Sequence, residues 1–80
     1  MATQIEWLQR IVADPAIHHG DPCIAGTRVP VSVIVASIAD GDTFEQILAS
    51  YPRLTREDIQ AALRYAAEAV NRFDFAPLAK

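Results

Sequence analysis

The chain has 80 residues, of which 51% are hydrophobic, so it has room for one domain and is too apolar to be a disordered protein. Ten acidic and seven basic residues give a net charge of −3, which argues against a protein coated in nucleic acid but allows a locally basic helix face. A domain this short buries only about 60% of its unfolded surface, so we expect a second copy or another partner to add stability.

The cellular compartment is predicted from the single cysteine and from the lack of recognisable targeting signals. Cys23 has no second cysteine with which to form an internal disulfide, and the N-terminus lacks the basic-then-apolar order of a signal peptide. The longest uncharged run, from Val29 to Ala39, is too short to span a bilayer. These features predict a cytoplasmic protein without a membrane segment.

Short β-prone runs, separated by prolines and glycines, precede the helical part of the chain. Residues 2–10 fit a short strand or a helical turn equally well. Ile11 to Ala13 and Cys23 to Ala25 are predicted strands, because turn residues bound both runs. A third extended piece is predicted from Arg28 to Val31, where Pro30 lacks an N–H and therefore belongs at a sheet edge or at the entry to a helix.

The first helix is predicted over residues 32–40. Ser32 can cap its N-terminus, and Gly41 can adopt the left-handed conformation that ends a helix. Apolar residues fall on nearly every side of this segment. The pattern therefore predicts a helix buried all round, either beneath the β element or at a dimer contact.

Two further helices are predicted, over residues 43–50 and 55–72. Thr43 and Gln46 have the spacing of a capping box, in which each side chain accepts a hydrogen bond from the backbone N–H of the other residue. Thr55 is expected to cap the last helix, which is the longest of the three. A tight turn that contains proline joins the two helices.

The last helix has the clearest apolar periodicity in the chain. Leu54 and Ile59 are placed as a hydrophobic staple across its first turn. At 100° per residue, one face is predicted to pack inward: Ile59, Ala62, Leu63, Ala66, Val70 and Phe73. The elements together predict an α+β fold in one domain. Its parts are an N-terminal β element (1–31), a three-helix bundle (32–73) and a tail (74–80).

A short helix, a tight turn and a long helix follow one another in the order of a helix-turn-helix, with residues 55–72 as its recognition helix. Arginine suits phosphate and guanine, whereas glutamine and asparagine suit adenine edges. One outward arc holds four such side chains, which are the predicted DNA-binding residues: Arg56, Gln60, Arg64 and Asn71. The alternative is an ordinary solvated face, since Glu57 and Glu68 flank the same arc.

Four residues outside this arc are candidates for contact with a partner. Arg28 lies in a turn made rigid by Gly26 and Pro30, where it either ties the turn to the body of the domain or contacts a partner or phosphate. The tail carries apolar residues that no helical pattern accounts for, and such residues often mark an interface. The tail candidates are Phe73, Phe75 and Leu78. Packing on the protein's own body or on its twin is the alternative for them.

The chain offers little for catalysis or metal binding. His18, His19, Asp21 and Cys23 lie close together, but no second His/Cys pair completes a tetrahedral site. Cys23 lacks an orienting group and oxyanion donors, and no pair of carboxylates is framed by apolar residues. We therefore predict a protein without cofactors that is not an enzyme, in which Cys23 is a small core residue.

The order of turn residues and helix signals resembles a family of small prokaryotic proteins. The resemblance covers roughly residues 10–70. It rests on Pro15, Ile17, Gly20, Pro22, Ile24, Gly26 to Val31, Gly41, Tyr51 to Thr55, Asp58-Ile59, Ala62-Leu63 and Tyr65-Ala66. This pattern is similar to that of domain of unknown function 433. The resemblance implies a homeodomain-like helix-turn-helix and a VapB-type antitoxin encoded beside a PIN-like nuclease toxin.

Two functions of different classes follow from these features. The first is an antitoxin-like homodimer that binds a PIN-like toxin and, through residues 55–72, operator DNA. The second is a small dimeric structural or adaptor protein without DNA binding, which the net negative charge and the flanking glutamates favour. A PIN-like reading frame beside the gene would distinguish the first function from the second.

Overall fold

A computed structural model describes residues 6–16 and 20–72. The elements follow one another as a 3₁₀-helix (Glu6–Arg10), strands β1 (Ile11–Ala13) and β2 (Pro22–Ile24), and helices α1 (Val31–Ala39), α2 (Phe44–Ser50) and α3 (Arg56–Arg72). A short sheet thus precedes three helices, and the predicted α+β class is confirmed. The open choice for residues 2–10 is resolved over Glu6–Arg10 in favour of a helical turn.

The sheet is an antiparallel pair in which Ile11 lies opposite Ile24 and Val12 opposite Cys23. The second strand begins one residue earlier than predicted. The third extended piece contributes a single bridge, between Cys23 and Pro30, to the described part of the sheet. Because proline has no N–H to donate, the ladder cannot continue through this residue.

Helix α1 begins at Val31, so the prediction that Ser32 caps it is wrong. Pro30 occupies the cap position with φ −67° and ψ 145°, and its carbonyl accepts hydrogen bonds from the N–H groups of Val33 (3.1 Å) and Ile34 (3.4 Å). The fixed φ of proline leads the chain from the bridge into the helix one residue early, with no side-chain cap.

The predicted stop at Gly41 is confirmed. Gly41 has a φ of 97°, a left-handed conformation that is strained for residues with a Cβ atom. Its N–H donates to the Ile38 carbonyl, and the N–H of Asp42 donates to the Ser37 carbonyl, each at 3.0 Å. These two bonds form a Schellman motif, which satisfies carbonyls at the end of α1.

Helix α1 is not buried all round within this chain. Val31 and Ile34 are buried, but Ser32, Ala36 and Ala39 are exposed. The helix packs by one side against α3, α2 and β2. Cover of the other side by a second copy stays a prediction.

Both remaining helices begin with reciprocal capping bonds. The Gln46 N–H donates to Thr43 Oγ1 (3.1 Å), and the Thr43 N–H donates to Gln46 Oε1 (2.7 Å), as the spacing predicts. At α3 the Asp58 N–H donates to Thr55 Oγ1 (3.2 Å), and the Thr55 N–H donates to Asp58 Oδ2 (3.0 Å). Each box satisfies N–H groups that the first turn of a helix leaves without partners.

The core lies between the hairpin and the three helices. Its buried members are Ile24, Val31, Ile34, Ile47, Leu54, Ile59 and Ala62. The staple residues Leu54 and Ile59 are among them, as predicted. Leu63 is half-buried and packs against this cluster.

The far end of α3 departs from the predicted inward face. Val70 is 71% exposed, and Phe73 lies outside the described residues. Helix α3 has 17 residues and α1 has nine, which correspond to lengths of about 25 Å and 13 Å. Because Val70 is exposed although it belongs to the predicted inward face, periodicity alone overstates how far this face is covered.

Candidate functional site

The four predicted DNA-binding residues are exposed along α3, while the opposite side of the helix packs on the core. Gln60 and Arg64 lie about one turn apart, and Asn71 lies two turns further along the helix. No hydrogen bond within the described ranges engages these three side chains. All three side chains are exposed to solvent.

Arg56 differs from the other three because it is held by α2. Its Nη1 donates to Glu45 Oε2 at 2.9 Å, and its guanidinium lies 5.0 Å from the centre of the Phe44 ring. The hydrogen bond from Arg56 holds the pKa of the Glu45 carboxyl below its ordinary value. Since both partners of this ion pair are exposed, Arg56 can exchange Glu45 for another anion at small cost.

Acidic residues lie beside the arc, as the sequence indicates. Glu57 is exposed and Glu68 is half-buried. Arg64 forms no salt bridge with Glu68 among the described residues, although the two have i, i+4 spacing. Of the two arginines of the arc, Arg56 forms an ion pair within the described residues and Arg64 does not.

Arg28 lies on the wall of a groove of about 760 Å³. Gly26 has the positive φ (79°) that the sequence predicts for this turn. Thr27 fixes the turn further, because its Oγ1 donates to the Ile24 carbonyl (2.9 Å) and accepts from the Val29 N–H (3.1 Å). Across the groove lies Tyr51 to Arg53, the turn between α2 and α3. The structure thus brings together two turns that are 22 residues or more apart in the sequence, with Arg28 on one and Arg53 on the other.

Several candidates lie outside the described residues. These are His18 and His19 of the metal alternative and the tail residues Phe73, Phe75 and Leu78. Within residues 6–16 and 20–72, no group of three or more His, Cys, Asp or Glu side chains could hold a metal ion.

Cys23 is buried at 2% exposure, and its Sγ donates to the Asp21 carbonyl at 3.4 Å. Burial, together with the negative charge of Asp21, raises the pKa of the thiol above its ordinary value. The thiolate is the nucleophilic form of cysteine, so this environment suppresses its reactivity. The residue packs in the interior, as the sequence predicts.

Asp58 and Arg10 form a contact that the sequence does not predict. Asp58 is 7% exposed, and its Oδ1 accepts a 3.0 Å hydrogen bond from Arg10 Nη1 while Oδ2 closes the cap of α3. One carboxylate thereby joins the 3₁₀-helix to the start of the candidate recognition helix. The Thr55-x-x-Asp58 spacing signals the cap, but no local pattern indicates the partner 48 residues away.

The chain is similar to other proteins over most of its length. The family model described as "Protein of unknown function (DUF433)" matches residues 11–66, which is most of the chain. The chain belongs to the DUF433 family. The crystal structure of a DUF433 member protein from Anabaena variabilis is similar, with a TM-score of 0.73 and 35% identity, covering 85% of this chain and 68% of that chain.

A curated relative is uncharacterized protein y4eO of Sinorhizobium fredii, which is 41% identical over 56 residues. This match takes in 70% of the present chain but 25% of the relative, so the chain spans about a quarter of that protein's length. The DUF433 segment runs from β1 into α3 and contains Arg28, Arg56, Gln60 and Arg64. Asn71 and the tail candidates lie beyond it.

Across the described part of this DUF433 protein, no helix has the length and apolar character needed to cross a membrane.

Proposed function

We propose that this protein is a cytoplasmic, antitoxin-like homodimer that binds a PIN-like nuclease toxin and reads operator DNA through α3. The observation that carries the DNA-binding half is the exposed polar arc of α3, which follows α2 through a short turn. A helix-turn-helix protein places such an arc in the major groove. The antitoxin part of the proposal is supported by the resemblance of the chain to the DUF433 family.

Each residue of the arc has a role set by its chemistry. Arg64 contacts phosphate or the O6 and N7 atoms of guanine, and Gln60 and Asn71 pair with adenine edges. Arg56 joins them by exchanging Glu45 for a phosphate. In a homodimer each copy contacts one half-site, because two or three cations on one helix are too few for strong binding by a single copy.

The DNA-binding half predicts a clear result for Arg64→Ala. We expect about tenfold weaker binding to the upstream region of the protein's own gene, because a base contact is worth ~1–3 kcal/mol and a phosphate contact adds about one unit to the salt dependence. Glu57→Gln should tighten binding by removing repulsion from phosphate. A gel-shift titration at several salt concentrations measures both effects.

Arg64→Lys is the matched variant for this experiment. A phosphate contact tolerates lysine, whereas bidentate pairing with guanine does not, so this variant separates the two roles. All three variants should keep the wild-type melting temperature, because both side chains are exposed. If wild type and Arg64→Ala bind DNA alike, the arc is a solvated face and the adaptor function is favoured.

The antitoxin half predicts a stable complex with the PIN-like nuclease encoded beside the gene. The two proteins should co-elute in gel filtration, and RNA cleavage by the nuclease should stop at equimolar amounts of this protein. A PIN-like nuclease from an unrelated locus is the control. Separate elution with undiminished cleavage would contradict the toxin-binding role, whatever the DNA result.

A further inference from the structure

Arg56 of the exposed arc on α3 is held by two residues in the first turn of α2. Its Nη1 donates to Glu45 Oε2 at 2.9 Å, and its guanidinium lies 5.0 Å from the centre of the Phe44 ring. Both contacts reach across the turn between the helices, because Arg56 is the first residue of α3. This arginine therefore has an anionic partner from its own chain before any DNA is bound.

Glu45 presents Arg56 with the same kind of acceptor that a phosphate does. Arginine binds either a carboxylate or a phosphate through charge-assisted N–H···O⁻ hydrogen bonds of about 2.7–2.9 Å, and the bond to Glu45 has this length. The side chains of Arg56 and Glu45 are 55% and 73% exposed, so a phosphate can reach the guanidinium from solvent. Carboxylate and phosphate thus compete for one cation.

Repulsion makes the two anions alternatives rather than joint ligands. Because the hydrogen bond from Arg56 holds the pKa of the Glu45 carboxyl below its ordinary value, Glu45 carries its full negative charge at neutral pH. A phosphate bound to the same guanidinium would lie within a few ångströms of that charge, well inside the distance over which salt screens exposed charges. Phosphate binding by Arg56 therefore requires that Glu45 move away.

We propose that Glu45 competes with DNA for Arg56 and thereby lowers the affinity of α3 for DNA. This inference rests on the proposed DNA binding and adds a residue of α2 that regulates it. Arg64 forms no ion pair within residues 6–16 and 20–72, so it can contact phosphate without such an exchange. Arg56 adds its contact only where the DNA backbone displaces Glu45. The lost ion pair, whose partners are both exposed, should reduce the affinity by a factor of about 1.5–5.

A double-mutant cycle on the full chain tests the proposal. Glu45→Gln keeps the size of the side chain but removes its charge, so the affinity for the upstream region of the protein's own gene should rise about two- to fivefold. In the Arg56→Gln background the same substitution releases no guanidinium, so its effect should fall to that of charge removal alone. Gel-shift titrations of the wild type, the two single variants and the double variant give the coupling between the two residues.

Asp42→Asn is the matched control for the loss of charge. Asp42 is exposed just before α2, and its carboxylate forms no ion pair within the described part of the chain. The substitution removes one negative charge near the same end of α2 without releasing an arginine. It should therefore change the affinity by the same small factor with and without Arg56→Gln. Circular dichroism checks that every variant keeps the helix content of the wild type.

The outcomes separate this inference from the proposed function. Weaker binding by Glu45→Gln would show that Glu45 positions Arg56 for DNA instead of competing for it, and an equal gain in both backgrounds would show an effect of net charge alone. Either result overturns the proposal. If Arg64→Ala weakens DNA binding while the cycle shows no coupling, this inference fails and the proposed DNA binding stands. If the wild type binds no DNA even at low salt, both fail together.

Discussion

Replacing Ile34 by aspartate should prevent the protein from folding. Ile34 has 0% exposure and lies in the core with Ile24, Ile47 and Ile59. A carboxylate at this position would lose its water without gaining a partner, at a cost above ~4 kcal/mol. A domain of this size has a total stability of only about 3–5 kcal/mol, so the unfolded state should predominate. Circular dichroism at 25 °C measures the outcome through the loss of the helical signal.

The matched variant for this experiment is Ala36→Asp, on the same helix but exposed. It should retain the fold, because the new carboxylate stays in water. Its effect on the dimer also tests the outward side of α1 as an interface, since a dimer formed through that side would dissociate. If Ile34→Asp melts within a few degrees of wild type, the assignment of the core is wrong.

Removing the Asp58 carboxylate should cost about 2–3 kcal/mol. The cap of α3 contributes ~1 kcal/mol, and the hydrogen bond with Arg10 contributes the remainder, reduced because the Arg10 side chain is 44% exposed. For a domain of this length, the loss corresponds to a fall in melting temperature of roughly 10–20 °C. Thermal denaturation of Asp58→Ala followed at the far-ultraviolet helix signal gives this value.

Two further variants serve as comparisons for the stability of Asp58→Ala. Glu57→Ala alters a neighbouring carboxylate in the same helical turn, but Glu57 is exposed, so we expect a change below about 0.5 kcal/mol. Arg10→Ala leaves the cap intact and should cost less than Asp58→Ala. Equal stabilities for Asp58→Ala and Glu57→Ala would show that neither the cap of α3 nor the hydrogen bond with Arg10 contributes to stability.

The helix ends could be predicted from sequence because their signals are local. Thr43 and Gln46 are three residues apart and complete each other's hydrogen bonds, and Gly41 needs no distant residue to adopt its positive φ. Ser32 does not cap α1, because Pro30, two residues earlier, already directs the chain into the helix. Where two local signals compete, the backbone restriction of proline prevails over a side-chain cap.

The α+β order, the last two caps, the buried Ile59 and the outward arc of α3 could all be predicted from local sequence patterns. Contacts between distant parts of the chain required the folded structure: Arg10 with Asp58, Arg56 with Glu45, and the turn at Arg28 with that at Arg53. It also decided that Val70 is exposed. The difference lies in how far along the chain each interaction reaches. Periodicity and capping depend on neighbours within a few residues, whereas burial and ion pairing depend on where a second element begins and ends in space.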